Sequence, residues 1–167
     1  EVPCGGDFQL AALSTPLETL TPAASARGAG ALGRAAPEPL YIMISQASTS
    51  ADFKNTVAAA FTTAHQFYTA QGFVLPPGTM NLIIGAVPIC NDCAGGVMPN
   101  APWTIYISPT VTSAALPKIV AHELFHSIQL LANNRASKLA FFDQDKWFKE
   151  GTAEWACDEV FDTIPGH

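Results

Sequence analysis

Residues 112–134 read TSAALPKIVAHELFHSIQLLANN, an apolar run interrupted by His122, Glu123 and His126. Val120, Leu124, Ile128 and Leu131 recur at helical spacing, so one side of this segment is an apolar stripe that seeks a core. Pro117 is tolerated only in a first turn, which places the helix start near Thr112 or Ser113. On such a helix the imidazoles at positions i and i+4 project to one face a turn apart, close enough for both to reach one metal ion. Glu123 is rotated about 100° from His122 and is set to reach a water beside that ion rather than the ion itself. The fold must therefore bury one side of the helix and keep the other open, with further ligands brought to it.

Two imidazoles leave a catalytic zinc one protein ligand short of three, the fourth position belonging to water. The helix offers no further His, Asp or Cys. His65 lies in an earlier helical segment beside Phe67 and Tyr68, where a packed or surface histidine is the ordinary reading, and His167 is terminal. The last 25 residues, by contrast, hold seven of the fourteen acids: Asp143, Asp145, Glu150, Glu154, Asp158, Glu159 and Asp162. Two of these, Glu150 and Glu154, stand four positions apart in KWFKEGTAEW. On a solvated helix such a pair repels mildly and has no further meaning. Opposite a two-histidine helix, it is the obvious ligand donor.

The remaining pattern is that of one α+β domain. Residues 1–39, rich in Ala, Gly, Pro, Ser and Thr, read as an extended N-terminal arm, either pro-segment, linker or wrap. LYIMISQ (40–46) predicts a strand, followed by a helix capped by Ser50, carrying Phe53, Val57, Phe61, Ala64 and Tyr68 on one face and stopped at Gly72. MNLIIGAVPI (80–89) and WTIYISP (103–109) predict two more strands, joined by a loop. After the histidine helix and a loop at 134–145, a last helix runs from Lys146 to about Phe161. The domain thus spans 40–167, and a start on Glu1 rather than Met reads as a processed product or a fragment of a larger protein.

The net charge of −6, with no run among the eight Lys and Arg, disfavours nucleic acid and anionic membranes as partners. No stretch approaches the roughly 20 apolar residues of a membrane span, so no membrane insertion is expected. Cys90 and Cys93 form a CxxC in the turn-rich PICNDCAGG, without the second CxxC of a zinc ribbon or the frame of a thioredoxin site. Two disulfides are expected, Cys90–Cys93 and Cys4–Cys157, one of three connectivities that four cysteines allow, and with them an oxidising, secreted setting.

HELFH, followed 24 residues after its second histidine by the glutamate of WFKEGTAEW, resembles the gluzincin zinc metallopeptidases. The likeness is to thermolysin-like enzymes and family-one-type aminopeptidases, and most of all to bacterial collagenases, whose third zinc ligand is the glutamate of an EGxAE-like stretch. WFKEGTAEWACDEVFD also resembles a group of secreted bacterial metalloprotease-like proteins with HExxH and a W-x-x-EGTA-x-W segment. The resemblance covers 116–162 in motif and the element order from residue 40. It implies a zincin-like fold, with a backing helix, a small mixed sheet, an active-site helix and a glutamate helix.

The resemblance further implies His122, His126 and Glu150 as ligands of one Zn²⁺ and Glu123 as general base. It implies Glu154 as the carboxylate that hydrogen-bonds a ligand histidine. Asp158 is read as solvated, Gly151 as a close-approach point between helices, and Trp147 and Trp155 as core. The families place a Tyr or His for the oxyanion well downstream of the glutamate, whereas Tyr41, Tyr68 and Tyr106 all lie upstream. VPCGGD at Cys4 also resembles the cysteine-switch segment of matrix metalloproteinase pro-peptides, although a disulfide is the ordinary fate of that residue.

The expected activity is zinc-dependent endopeptidase action on protein or peptide substrates, with a strand between 85 and 107 aligning an extended substrate by backbone pairing. The alternatives are a catalytically silent zinc-binding or adhesion module and a zinc hydrolase of a non-peptide bond.

Overall fold

The computed structural model describes residues 17–20, 39–132 and 146–161. It is a mixed α+β arrangement of a five-stranded sheet and three helices. The strands are β1 (Leu17–Leu20), β2 (Tyr41–Gln46), β3 (Met80–Ile84), β4 (Gly95–Met98) and β5 (Ala101–Ile107). The helices are α1 (Ala51–Ala70), α2 (Leu116–Ala132) and α3 (Lys146–Phe161). The sheet order is β1-β2-β3-β5-β4, with β2, β3 and β5 parallel and the two edge strands antiparallel to their neighbours.

Alternation along β2 and β3 explains why only one face of this sheet is dry. Tyr41, Met43, Ser45, Met80, Leu82 and Ile84 point inward, and the residues between them are half-buried. Onto the inner face pack Val57, Ala60, Phe61, Ala64 and Tyr68 of α1 and Leu116, Val120, Leu124 and Ile128 of α2, in a single core with Ile105 and Ile107 of β5. The Ser50 hydroxyl accepts a 3.2 Å hydrogen bond from the Phe53 amide and caps α1. At its other end, Gly72 takes a positive φ of 83° that a side chain resists, and the chain turns toward β3.

Helix α2 begins at Leu116 rather than near Thr112. Thr112 to Ala115 form a separate turn, in which the Thr112 carbonyl accepts from the amides of Ala115 and Leu116, and Pro117 falls in the first helical turn, where its missing amide costs nothing. Two strands were not expected. Leu17–Leu20, within the stretch read as an arm, pairs antiparallel with β2. Gly95–Met98, read as part of a loop, pairs with β5 as the sheet edge.

The tryptophans of α3 correct another expectation. Trp147 and Trp155 are 78% and 56% exposed, because the inner stripe of this helix is filled by Ala153, Ala156, Cys157 and Val160. Gly151 is likewise no contact point between helices, since a Cβ built there meets no atom within 4 Å. Asp158 accepts a 2.8 Å ion pair from Lys118 and so ties α3 to α2 rather than standing alone in solvent. Among the described residues, no helix is long and apolar enough to cross a membrane.

Tyr68 links the core to the histidine helix: its ring packs on Phe73 and Phe125, and its hydroxyl donates 3.2 Å to the Ala121 carbonyl, immediately before His122. Burial pushes that phenol well above its ordinary pKa, so it remains a donor throughout the accessible pH range. Tyr68→Phe keeps the packing and removes one buried hydrogen bond. Stability should fall by about 0.5–1.5 kcal/mol, read as a lower urea midpoint at unchanged m-value.

Candidate metal centre

Helix α2 carries His122 and His126 on the face turned toward α3, with their rings 4.5 Å apart and nearly perpendicular. Glu150 reaches them from the first turns of α3. Its Oε2 lies 3.3 Å from Nε2 of His122 and 3.3 Å from Nε2 of His126. The three donor atoms lie within 4.8 Å of one another, a group that could hold a metal ion. Two imidazole nitrogens and one carboxylate oxygen are also the chemistry that a borderline-soft divalent ion accepts. The three residues singled out in the sequence are thus brought together by the α2–α3 contact.

For the Nε2 atoms to act as ligands, each ring must carry its proton on Nδ1. The structure supplies an acceptor at both. Nδ1 of His126 is 2.7 Å from Oε1 of Gln129, and Nδ1 of His122 is 3.4 Å from Oε2 of Glu154. The orientation of the Gln129 amide follows from its other end. There its nitrogen donates 3.0 Å to the Lys149 carbonyl, which can only accept, and 2.7 Å to the Thr152 hydroxyl. Thr152 in turn donates to the Phe148 carbonyl. A backbone carbonyl of α3 therefore fixes the amide, the amide oxygen accepts from Nδ1 of His126, and Nε2 is the ring nitrogen turned toward Glu150.

Glu154 takes the position at His122 that the resemblance implies. Gln129 plays the corresponding part at His126 and was missed, although it lies one turn beyond that histidine on the same helix face. Lys149 was also missed. It is buried to 4% exposure, with Nζ 3.4 Å from Oε1 of Glu150, the carboxylate oxygen that does not face the histidines. Its charge offsets part of the cost of holding an anion in this half-buried position.

Glu123, next to His122 on α2, is 7% exposed, under the edge strand β4 and within electrostatic reach of His122, His126 and Glu150. A Cβ at Gly95 would sit 2.8 Å from Cγ and 2.9 Å from Oε1 of Glu123, so only glycine lets β4 pass this carboxylate. That close approach accounts for Gly95, while a Cβ at Gly96 would meet Ile89 and Val87; two adjacent glycines weaken any strand signal.

The electrostatics follow from the packing. Burial raises the Glu123 carboxyl above its ordinary value, against the pull of His126 and His122. Burial works to lower His122, yet its hydrogen bonds to Cys157 and Glu150 and the nearby charges of Glu123 and Glu150 win, and the imidazole is pushed up to about 10. Burial also works to raise Glu150, but hydrogen bonds from both histidines outweigh it and hold the carboxylate well below the usual range. In the metal-free protein, a proton thus stands in for an ion among these groups.

Cys90 and Cys93 lie at disulfide distance, Cα to Cα 5.6 Å, in the loop leading to β4. Cys157 is buried and has no disulfide partner among the described residues; Cys4, its expected partner, lies outside them, as does His167. His65 packs against Phe61, away from the metal centre. Tyr41 also packs on Phe61. Sequence comparison finds no matching protein family and no matching curated protein.

Two measurements test this geometry. By calorimetric zinc titration, Glu150→Ala should abolish tight binding, whereas Glu154→Ala and Gln129→Ala should each weaken it by about 10–100-fold. The bound ion must also displace the His122 proton. Below pH 10 the metal-free imidazole is the protonated form, so apparent affinity should rise with pH, by up to about tenfold per unit, in a chelator competition series.

Proposed function

We propose that this chain is a zinc-dependent endopeptidase of the gluzincin type. The observation that carries the reading is the convergence of His122, His126 and Glu150 on one point, with the carboxylate of Glu123 held beside the same helix under an edge strand. The donor set fits zinc: three protein ligands of mixed nitrogen and oxygen type, leaving a fourth position for solvent. When bound there, the ion would lower the pKa of water toward about 7 and polarise a substrate carbonyl.

The chain's own residues supply the rest. Glu123 takes a proton from the attacking water and delivers it to the leaving amine, and burial, which raises its carboxyl above the ordinary value, strengthens it as a base. Glu154 and Gln129 hold the two imidazoles in the ligating tautomer. Strand β4, at the sheet edge beside Glu123, offers backbone groups to an extended peptide, which would add as a further strand. Of the candidate strands between 85 and 107, β4 is the one whose outer edge has no pairing strand among the described residues.

Glu123→Gln is the deciding variant, because it keeps shape and removes the base. It should bind one zinc as the wild type does and lose peptide cleavage by at least about 10²-fold, measured on a denatured-protein or peptide library. If both forms bind zinc and neither cleaves, the endopeptidase reading fails and a non-catalytic zinc-binding domain takes its place.

A further inference from the structure

A second group of metal-ligating side chains adjoins the first. Glu154 and Cys157 stand three positions apart on α3, hence on one face of it, and both meet the His122 imidazole. One donor atom from each of His122, Glu154 and Cys157 falls within 4.8 Å of the others. His122 faces Glu150 through Nε2 and Glu154 through Nδ1, so its ring stands between two donor sets. We infer that Nδ1 of His122, the carboxylate of Glu154 and the thiol of Cys157 form a second metal site, for a thiophilic divalent ion such as zinc or cadmium.

The chemistry differs from that of the first site. A thiolate is the softest ligand a protein offers and shifts preference toward zinc and cadmium over oxygen-seeking ions. Cys157 is 1% exposed; its Sγ donates 3.1 Å to the Glu154 carbonyl and also hydrogen-bonds the His122 imidazole. Glu154 is exposed and supplies the path by which an ion arrives from solvent. Binding replaces the 3.4 Å contact between Nδ1 of His122 and Glu154 by two metal bonds. One proton leaves the Cys157 thiol and one leaves Nδ1 of His122, both to solvent. With both sites filled, the imidazole is a bridging imidazolate, and thiolate, carboxylate and imidazolate together offset the charge of the second ion. Three protein ligands leave room for one water.

Cadmium titration of the full chain tests this site, because thiolate-to-cadmium charge transfer marks sulfur ligation in the ultraviolet while nitrogen and oxygen sites are silent. The wild type should bind two ions, one of them with the charge-transfer band. Cys157→Ala should bind one ion without the band, and Glu150→Ala should keep the band. Glu154→Ala leaves the thiol in place and should weaken the band-forming ion by at least about tenfold, which decides the question even if Cys157→Ala fails to fold. The site is refuted by a single silent ion in the wild type, by a band that survives Cys157→Ala, by unchanged affinity in Glu154→Ala, or by peptide mapping that finds Cys157 disulfide-bonded. None of these readouts involves Glu123 or cleavage, so the site stands or falls separately from the peptidase activity.

Discussion

One carboxylate oxygen, Oε2 of Glu150, stands 3.3 Å from the Nε2 atoms of two histidines on another helix, and the packing of α2 against α3 is what makes that possible. Three lone-pair-bearing atoms aimed at one point repel unless something positive lies among them. In the metal-free chain that role falls to protons, which is why His122 is held far above the ordinary range of an imidazole and Glu150 far below that of a carboxylate. The arrangement is costly to the bare protein and is one that could hold a metal ion.

The rigidity needed to hold such a point comes from outside it. Helix α2 is anchored along its length by Leu116, Val120, Leu124 and Ile128 in the core, and the Tyr68 hydroxyl engages it beside His122. Helix α3 is registered on it by polar contacts at both ends. Gln129 bridges to the Lys149 carbonyl and Thr152 near the start of α3, and Lys118 pairs with Asp158 near its end. The half-buried Gln129 link does more than the half-exposed ion pair, since an exposed pair contributes about 0–1 kcal/mol whereas a misplaced amide would turn the wrong nitrogen of His126 toward the site.

How far this could be read in advance depended on the range of the interaction. Helices α1 and α3, the core stripe of α2 and the His122–His126 pair are local patterns with a fixed period, and they were legible. The approach of Glu150 is tertiary and was reached through a motif resemblance, not through periodicity. Gln129 was legible in principle from its spacing to His126, but a glutamine on a helix carries no signal until its partner helix is known. Strand β4 was hidden because Gly95 and Gly96 suppress strand propensity, and the reason for Gly95, the Glu123 side chain above it, is visible only in three dimensions. Trp147 and Trp155 were misread as core by the usual equation of aromatic with buried; small residues had already filled the inner face of α3.

Those two indoles give the chain an optical property. All three of its tryptophans, Trp103, Trp147 and Trp155, stand at least 48% exposed, and two of them flank Glu150 and Glu154 on the helix that donates those carboxylates. Their excited states therefore sample water and the carboxylate field together. Any change of charge between α2 and α3 falls within a turn or two of a fluorophore, so the protein carries its own gauge of what its helices hold.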